Sequence, residues 1–195
     1  KKNQINKAKA VETSKHWHSR TAPHASAVGV VLDLFFDQKK KAEEAYQKAI
    51  DIDPQYALAW HNLGFTLGNQ GRYKEAEEAC QKTIDLDPQD AIAWNNLGLA
   101  LVNQARSKEA EEAFQKAIDL DSQYVNAWYH LGLALNKQGC YKEAEKAYRK
   151  AIALNPLDHY PLINLSGICL FYLNQQEEGI ALLLKGLSIE PEVRY

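Results

Sequence analysis

Methionine is absent from this chain of 195 residues, and cysteine is scarce, at three residues. The cysteines are odd in number and lack CxxC spacing, which indicates reduced thiols rather than a disulfide framework. No apolar run reaches the ~18 residues that a membrane-spanning helix needs. The missing methionine indicates a longer or processed product, and we expect a cytoplasmic protein.

Signatures of enzymes are missing as well. The sequence has no GxxxxGK[ST], GxGxxG, GxSxG or HExxH pattern. His16 and His18 have no third metal ligand nearby, and Asp158–His159 resembles part of a triad without an activated nucleophile. We therefore predict a protein that is not an enzyme, with no catalytic residues, no cofactor, no metal site and no small-molecule substrate.

Charge is spread unevenly along the chain. Residues 1–24 hold six Lys or Arg against one Asp or Glu, whereas the remainder holds 17 against 24. A basic arm can contact nucleic acid or a membrane, although such arms more often stay in solvent. We predict a flexible arm over residues 1–23, with no membrane partner. Nucleic-acid binding through the arm is the weaker alternative.

The sequence does contain a regular repeat. Trp60, Trp94 and Trp128 are equally spaced and open the phrases "WHNLG", "WNNLG" and "WYHLG". Their spacing is the period of ~34 residues that is typical of helix–turn–helix repeats. Between the breaks, apolar residues return at helical spacing, which predicts two helices per unit, at 57–70 and 73–86 in the first clear copy. Gly71 and Gly139 are expected to make the turns between paired helices, and prolines to end the second helices.

The glycine inside each phrase weakens a helix by ~1 kcal/mol relative to alanine. We expect it at Gly64 because two helices approach closely there, with Ala76 as the small residue opposite. The tryptophans are expected to fill the wider gap between neighbouring units as core residues.

The segment "AWNNLGLALVNQARSKEAEEAFQKAIDLDS" resembles a tetratricopeptide repeat. The resemblance is strong over residues 57–156 and implies an all-α solenoid of stacked antiparallel helix pairs in a right-handed superhelix. It predicts full repeats at 57–90, 91–124 and 125–158, with divergent repeats at 24–56 and 159–195. In the middle repeat, Ala105 replaces the turn glycine and Ser122 the proline. In the last repeat, Gly167 and Gly179 fit a frame shifted by one residue, with the extra residue placed in "NPLDHYP".

The resemblance also implies that the first helix of each pair lines a concave groove. The residues between the tryptophan and the leucine, and those one turn away, then point to that groove. They are Leu58, His61, Asn62, Phe65 and Asn69; Ile92, Asn95, Asn96, Leu99 and Asn103; and Asn126, Tyr129, His130, Leu133 and Lys137. This surface is nearly neutral, rich in amides and partly apolar. We predict that it binds a protein or peptide partner.

Two binding modes of the family can be compared with this surface. Co-chaperones grip a C-terminal carboxylate with Lys and Arg, but the matching positions here hold no cation, which argues against a clamp. Those positions are His61, Phe65, Asn96, Asn126 and His130. The asparagines are similar to the ladder in O-linked N-acetylglucosamine transferase, where amides hold an extended peptide; Asn62 and Asn96 match it, and His130 departs. The alternative is that these asparagines are merely tolerated on the surface.

The last helix differs from its counterparts on the convex side. The preceding repeats carry polar pairs at these positions, namely Glu77 and Gln81, Glu111 and Gln115, and Glu145 and Arg149. The last copy has Ile180 and Leu184, which are four residues apart and share a helix face. Because a terminal repeat is expected to be more polar than the others, we predict an interface there with a second copy of the chain or a further helix.

These observations predict a non-catalytic interaction scaffold that binds a peptide segment in its groove. The alternative is the helical arm of a larger enzyme or signalling protein, where it positions substrates or partners.

Overall fold

The computed structural model describes the backbone of residues 21–36 and 38–189, and the side chains of these residues except 34–36. This part of the chain forms ten α-helices and no strand. The helices are α1 (Ala22–Phe36), α2 (Lys39–Ile52), α3 (Ala57–Asn69), α4 (Tyr73–Leu86), α5 (Ala91–Asn103), α6 (Ser107–Leu120), α7 (Val125–Lys137), α8 (Tyr141–Leu154), α9 (His159–Phe171) and α10 (Gln176–Ile189). His16, His18 and most of the predicted arm lie outside the described residues.

The chain divides into two compact units, the first ending at Asn96 and the second beginning at Leu97, within α5. In the first unit, α1 packs against α2, α3 packs against α4, and α3 also contacts α1 and α2. In the second unit, each helix from α6 to α9 packs against the next. Each unit is a stack of helix pairs, so the predicted all-α class is confirmed.

The second helices end in a recurring way. Asp87, the residue after α4, has an extended backbone, and its carboxylate accepts a hydrogen bond from the Gln89 amide at 3.1 Å. The residue before a proline is driven out of the helical region, which accounts for this end at Pro88. Asp121 adopts the same conformation and accepts from the Gln123 amide at 2.9 Å, although Ser122 follows it. The aspartate therefore maintains the break where the proline is missing.

The tryptophans are half-buried rather than fully buried core residues, which corrects the expectation from the sequence. Each indole donates a hydrogen bond to a carbonyl oxygen in the preceding break. These bonds join Trp60 to Pro54 (3.0 Å), Trp94 to Pro88 (3.2 Å) and Trp128 to Ser122 (3.0 Å). The polar edge of the ring needs such a partner, and its presence leaves part of each indole at the surface.

The recurring glycine faces an aromatic ring in most repeats. A Cβ atom at Gly98 would lie 2.5 Å from the Phe114 ring, and one at Gly132 would lie 2.6 Å from the Tyr148 ring. A Cβ atom at Gly64 would lie 3.0 Å from the Cys80 sulfur and would not meet Ala76, so the expected pairing of Gly64 with Ala76 is wrong. At Gly98 and Gly132 the glycine therefore makes room for a large side chain on the paired helix, rather than matching a small one.

The turns between paired helices require a left-handed backbone. Gly71 has a φ of 77° and Gly139 a φ of 78°, which confirms both as turn residues. Ala105 takes the same position in the middle repeat with a φ of 62°, and Asn174 has a φ of 55° after α9. A residue with a Cβ atom is strained there, whereas glycine is not.

The frame of the last repeat differs from the expectation. Helix α9 begins at His159, in the same frame as α7, whereas α10 begins at Gln176, one position later than the frame of α8 predicts. The extra residue therefore lies in the turn 172–175, not in "NPLDHYP". The start of α9 is fixed by Asp158, whose side chain accepts a hydrogen bond from the Tyr160 amide at 3.0 Å. Ser166, which is buried, thus takes the position of the recurring glycine, and Gly167 does not.

Candidate functional site

Helix α3 presents five of the predicted site residues in the first unit. Their spacing of three or four residues puts them on one side of the helix. Leu58 and Phe65 are each about half exposed, Asn69 is exposed, and His61 and Asn62 are half-buried. The structure thus brings apolar and amide groups together on α3, as the sequence predicts.

His61 is held in place by Asp90, the residue before α5. Its Nδ1 lies 2.7 Å from Asp90 Oδ2, while Asp90 Oδ1 accepts hydrogen bonds from the Ile92 and Ala93 amides at 2.9 Å each. Burial acts to raise the pKa of Asp90, but the hydrogen bonds from His61 and Ala93 outweigh it and lower that pKa below its ordinary value. Asp90 is therefore ionised at neutral pH, and its carboxylate accepts a hydrogen bond from Nδ1 of His61.

Asn62 is oriented by a neighbouring helix. Its amide nitrogen donates to Ser26 Oγ on α1 at 3.4 Å, and one turn further along α3, Thr66 donates to Asp33 on α1 at 3.0 Å. These contacts tie the α3 face to α1. At the start of α5, Asn96 is half-buried and Ile92 is about half exposed, so they continue the mixture of amide and apolar groups.

Asn95 departs from the expectation of an accessible amide. Its side chain is only 2% exposed. His61 and Tyr129 take the same position in the preceding and the following repeat, and both are half-buried. Their longer side chains reach the surface where the shorter asparagine does not, which is the physical reason for the difference.

In the second unit, the remaining predicted residues lie on α7 and on the last part of α5. Asn126 and Lys137 are exposed, and Tyr129, His130 and Leu133 are half-buried. On α5, Leu99 is half-buried, whereas Asn103 is exposed and donates to the Leu99 carbonyl oxygen at 2.8 Å. Asn103 therefore uses one donor on its own helix.

Tyr129 and His130 belong to an aromatic cluster that reaches α9. The Tyr129 ring lies 5.4 Å from the His130 ring and 6.3 Å from the Tyr160 ring, measured between centroids. Asn164 donates to Tyr129 Oη at 3.3 Å and to the Tyr160 carbonyl oxygen at 2.9 Å. Burial lowers the pKa of His130 to about 4, so the ring is neutral at physiological pH.

Residues of α9 were missed by reasoning from the sequence. Because α9 keeps the repeat frame of α7, the counterparts of Asn126, Tyr129, His130, Leu133 and Lys137 are Tyr160, Ile163, Asn164, Gly167 and Phe171. The exact period was the available signal, and the glycine at position 167 obscured it. These residues add one more amide and several exposed apolar groups to the second unit.

The two predicted interface residues on α10 are exposed. Ile180 is 52% and Leu184 is 63% exposed, and Leu187, three residues further, is exposed as well. The spacing of four and three residues puts all three on one helix face. An interface at this face stays a prediction.

The described residues offer little reactive chemistry. No group of three or more His, Cys, Asp or Glu among them is arranged to hold a metal ion, and none of their helices is long and apolar enough to cross a bilayer. Cys80 and Cys169 are buried, Cys140 is half-buried, and burial raises the pKa of the Cys80 thiol to about 12. A thiol with that pKa is not a nucleophile at neutral pH.

Known protein families match most of the chain. Two models described as tetratricopeptide repeat match residues 55–123 and 95–159, and one described as TPR repeat matches residues 35–71. No curated protein sequence matches the chain.

Solved structures are similar over most of the length. A crystal structure of MamA is 27% identical, with a TM-score of 0.75, over 82% of this chain and 93% of its own. The chain is also similar to YrrB, described as a TPR protein with an unusual peptide-binding site, at 22% identity and a TM-score of 0.71 over 95% of this chain and 93% of YrrB. The chain is 22% identical to pilF of Pseudomonas aeruginosa, with a TM-score of 0.77, over 89% of this chain and 78% of pilF. The similarities to YrrB and to pilF concern the fold alone.

Proposed function

Since the chain belongs to the tetratricopeptide repeat family, whose solenoid fold serves protein interaction, we propose that it is a scaffold that binds an extended peptide segment of a partner protein. In the first unit the peptide lies on the face of α3 and the start of α5. This face consists of Leu58, His61, Asn62, Phe65, Ile92 and Asn96.

The mixture of half-exposed apolar side chains with half-buried amides carries this proposal. Leu58, Phe65 and Ile92 leave about half of their surface to solvent, while Asn62 and Asn96 lie half-buried on the same face. An amide offers both a donor and an acceptor, so it pairs with the backbone of any extended peptide. Apolar side chains beside it accept the alternate side chains of that peptide. A face that carries both amides and apolar groups can therefore bind the backbone and the side chains of an extended peptide.

The charge of the face favours an uncharged peptide segment. Its residues include no Lys or Arg, and His61 faces the carboxylate of Asp90. A partner carboxylate bound here would lose water without gaining a charge-assisted hydrogen bond. A backbone N–H, in contrast, finds an acceptor in the side-chain carbonyl oxygen of either asparagine.

The test uses a phage-displayed library of short random peptides, selected against the purified chain. The affinity of the best peptide is then measured by fluorescence anisotropy with the wild type and with the double variant Asn62→Ala, Asn96→Ala. Each lost hydrogen bond costs ~0.5–1.5 kcal/mol, so the double variant should bind about 5- to 150-fold more weakly. Helical content by circular dichroism should stay unchanged.

The matched control is Gln47→Ala with Gln81→Ala. Both glutamines are exposed on the second helices and donate to aspartates of their own helix at 3.0 Å. This control removes two amides from the same unit but leaves the proposed face intact, so it should bind like the wild type. Equal affinity of the asparagine variant and the wild type, or equal losses in both double variants, would contradict the proposal.

A further inference from the structure

The last two repeats meet through a pair of stacked tyrosines. Tyr141 is the first residue of α8, and Tyr172 is the residue that follows α9. Their ring centroids are 3.9 Å apart and their planes are inclined by 17°, so the rings overlap in van der Waals contact. Tyr172 is 57% exposed and Tyr141 is half-buried. Two phenol rings in contact are therefore accessible to a small molecule from solvent.

This pair replaces a different contact between the preceding repeats. Tyr172 takes the position that Gln138 holds one repeat earlier. Gln138 reaches back to the preceding repeat, where it donates to Glu111 at 2.9 Å and to the Ser107 carbonyl oxygen at 3.4 Å. Ser107 in turn takes the position of Tyr141. The same junction thus holds an amide against polar groups in one copy and two stacked phenols in the next.

Hydrogen bonds of the backbone hold both rings in place. The Tyr172 amide donates to the Ile168 carbonyl oxygen at 3.0 Å, at the end of α9. On the other side, the Ala144 amide donates to the Cys140 carbonyl oxygen at 2.9 Å, in the first turn of α8. Groups that are held in contact react as if each were at a very high local concentration, so a reaction between these two rings needs no diffusion.

The two phenols also interact through their hydroxyl groups. Desolvation and the hydrogen bond with Tyr172 raise the pKa of Tyr141 above its ordinary value, so the Tyr141 phenol is protonated at neutral pH. A hydrogen bond between the hydroxyls also brings together the ring carbons beside them. When a phenol loses an electron and a proton, the unpaired electron is shared with these ortho carbons, which are therefore the atoms at which two such rings join.

We propose that Tyr141 and Tyr172 form a site of oxidative cross-linking, at which a one-electron oxidant joins the two rings as dityrosine. Each phenol gives one electron to the oxidant and its hydroxyl proton to water. The two phenoxyl radicals then form a carbon–carbon bond between their ortho carbons. Each of these carbons loses its hydrogen as a proton while the phenol oxygen regains one, so the net change is the loss of two electrons and two protons.

Such a bond fixes the last repeat on its neighbour. It closes a loop from the start of α8 to the end of α9, and a cross-link that closes a loop stabilises the folded state by restricting the unfolded chain. A terminal repeat contacts only one neighbour, so it gains most from such a link. This inference does not rest on the proposed function, because neither tyrosine belongs to the proposed peptide-binding face.

The test exposes the purified chain, at micromolar concentration, to visible light with tris(bipyridine)ruthenium(II) and persulfate, which together oxidise phenols by one electron. Dityrosine is detected by its blue fluorescence, and mass spectrometry of tryptic peptides identifies the joined residues. The chain should stay monomeric, lose the mass of two hydrogen atoms and yield a peptide pair joined through Tyr141 and Tyr172. The yield per chain should not change on dilution.

Three variants separate this pair from the other tyrosines. Tyr172→Phe keeps the stacked ring but removes the phenol, so it should reduce dityrosine about tenfold, since the remaining tyrosines are not held in stacked contact. Tyr160→Phe is the matched control, because Tyr160 is similarly exposed, at 56%, and its ring centroid lies 6.3 Å from that of Tyr129. It should yield as much dityrosine as the wild type. In Cys140→Ser, which lacks the thiol next to Tyr141, the yield should equal or exceed that of the wild type, since a thiol reduces phenoxyl radicals.

Circular dichroism should show the same helical content in all variants, so that the yields report on the tyrosine pair. In the linked chain, hydrogen exchange of the amides in α9 should be slower than in the unlinked chain, and equal exchange would overturn the effect on the last repeat. The absence of dityrosine in the wild type, an equal yield in Tyr172→Phe, or a yield that rises with protein concentration would overturn the site.

Discussion

Replacing Ala105 by glycine is expected to stabilise the second unit. Ala105 lies in the turn between α5 and α6 with a φ of 62°, where the neighbouring repeats have Gly71 and Gly139 at 77° and 78°. A residue with a Cβ atom in this left-handed conformation costs ~1–2 kcal/mol. Glycine removes that strain, but its greater conformational freedom in the unfolded chain destabilises the folded state by ~0.4–1 kcal/mol. We therefore expect a net gain of about 0.5–1 kcal/mol.

The reverse substitution in the same unit is Gly139→Ala. A Cβ atom at Gly139 would meet nothing within 4 Å, so the substitution introduces strain in the backbone and no clash. By the same balance it should destabilise the unit by about 0.5–1 kcal/mol. Because the two changes share one turn geometry, they should shift stability by similar amounts in opposite directions.

Urea denaturation followed by circular dichroism measures both effects. Since neighbouring repeats unfold with incomplete cooperativity, hydrogen exchange of amides in α5 and α6 should accompany it. In Ala105→Gly these amides should exchange more slowly. The reasoning fails if Ala105→Gly is less stable than the wild type, or if Gly139→Ala causes no loss.

Three further predictions concern packing, pH and association. Gly98→Ala should destabilise the chain by ~1–3 kcal/mol because its Cβ atom overlaps a buried aromatic ring, and an unchanged melting temperature would contradict that packing. Burial lowers the pKa of His130 to about 4, so as the pH falls the imidazole is protonated in the unfolded chain before it is protonated in the folded one. The free energy of unfolding should therefore fall by ~1–3 kcal/mol between about pH 6.5 and 4. In His130→Gln, chemical denaturation should show a smaller dependence of stability on pH. Ile180→Glu with Leu184→Glu should abolish self-association in light scattering, whereas Lys185→Glu, with the same change in charge, should not; a wild type that stays monomeric at high concentration rules out the self-association.

The helix pairs were predictable because their signals repeat. The equal spacing of the tryptophans and the helical return of apolar residues predicted helices at 57–70 and 73–86, and the structure has Ala57–Asn69 and Tyr73–Leu86. Each break also has local causes, namely the left-handed turn residue and the aspartate before the proline. Where a pattern occurs in several copies, each copy supports the same interpretation.

The exposure of individual site residues was less predictable. Asn95 occupies the same repeat position as His61, yet it is only 2% exposed. The period determines the direction of the Cα–Cβ bond, but side-chain length decides whether a polar group reaches the surface. The frame of the last repeat was misjudged for a related reason, because Gly167 was taken as the packed glycine while the Asp158 cap determines where α9 begins.

The positions that repeat and those that vary have different physical roles. Gly98 and Gly132 must stay glycine because a ring occupies the space of a Cβ atom, so the fold determines them. On the open face, one position holds Phe65, Leu99, Leu133 and Gly167 in successive repeats, and the helices form with each of them. Since a repeat packs mainly against its neighbours, changes on the open face leave the stack intact. For the proposed scaffold, specificity for a partner should therefore depend on the side chains that the repeat pattern leaves free, such as Phe65 and Leu99, and not on the residues that define the family.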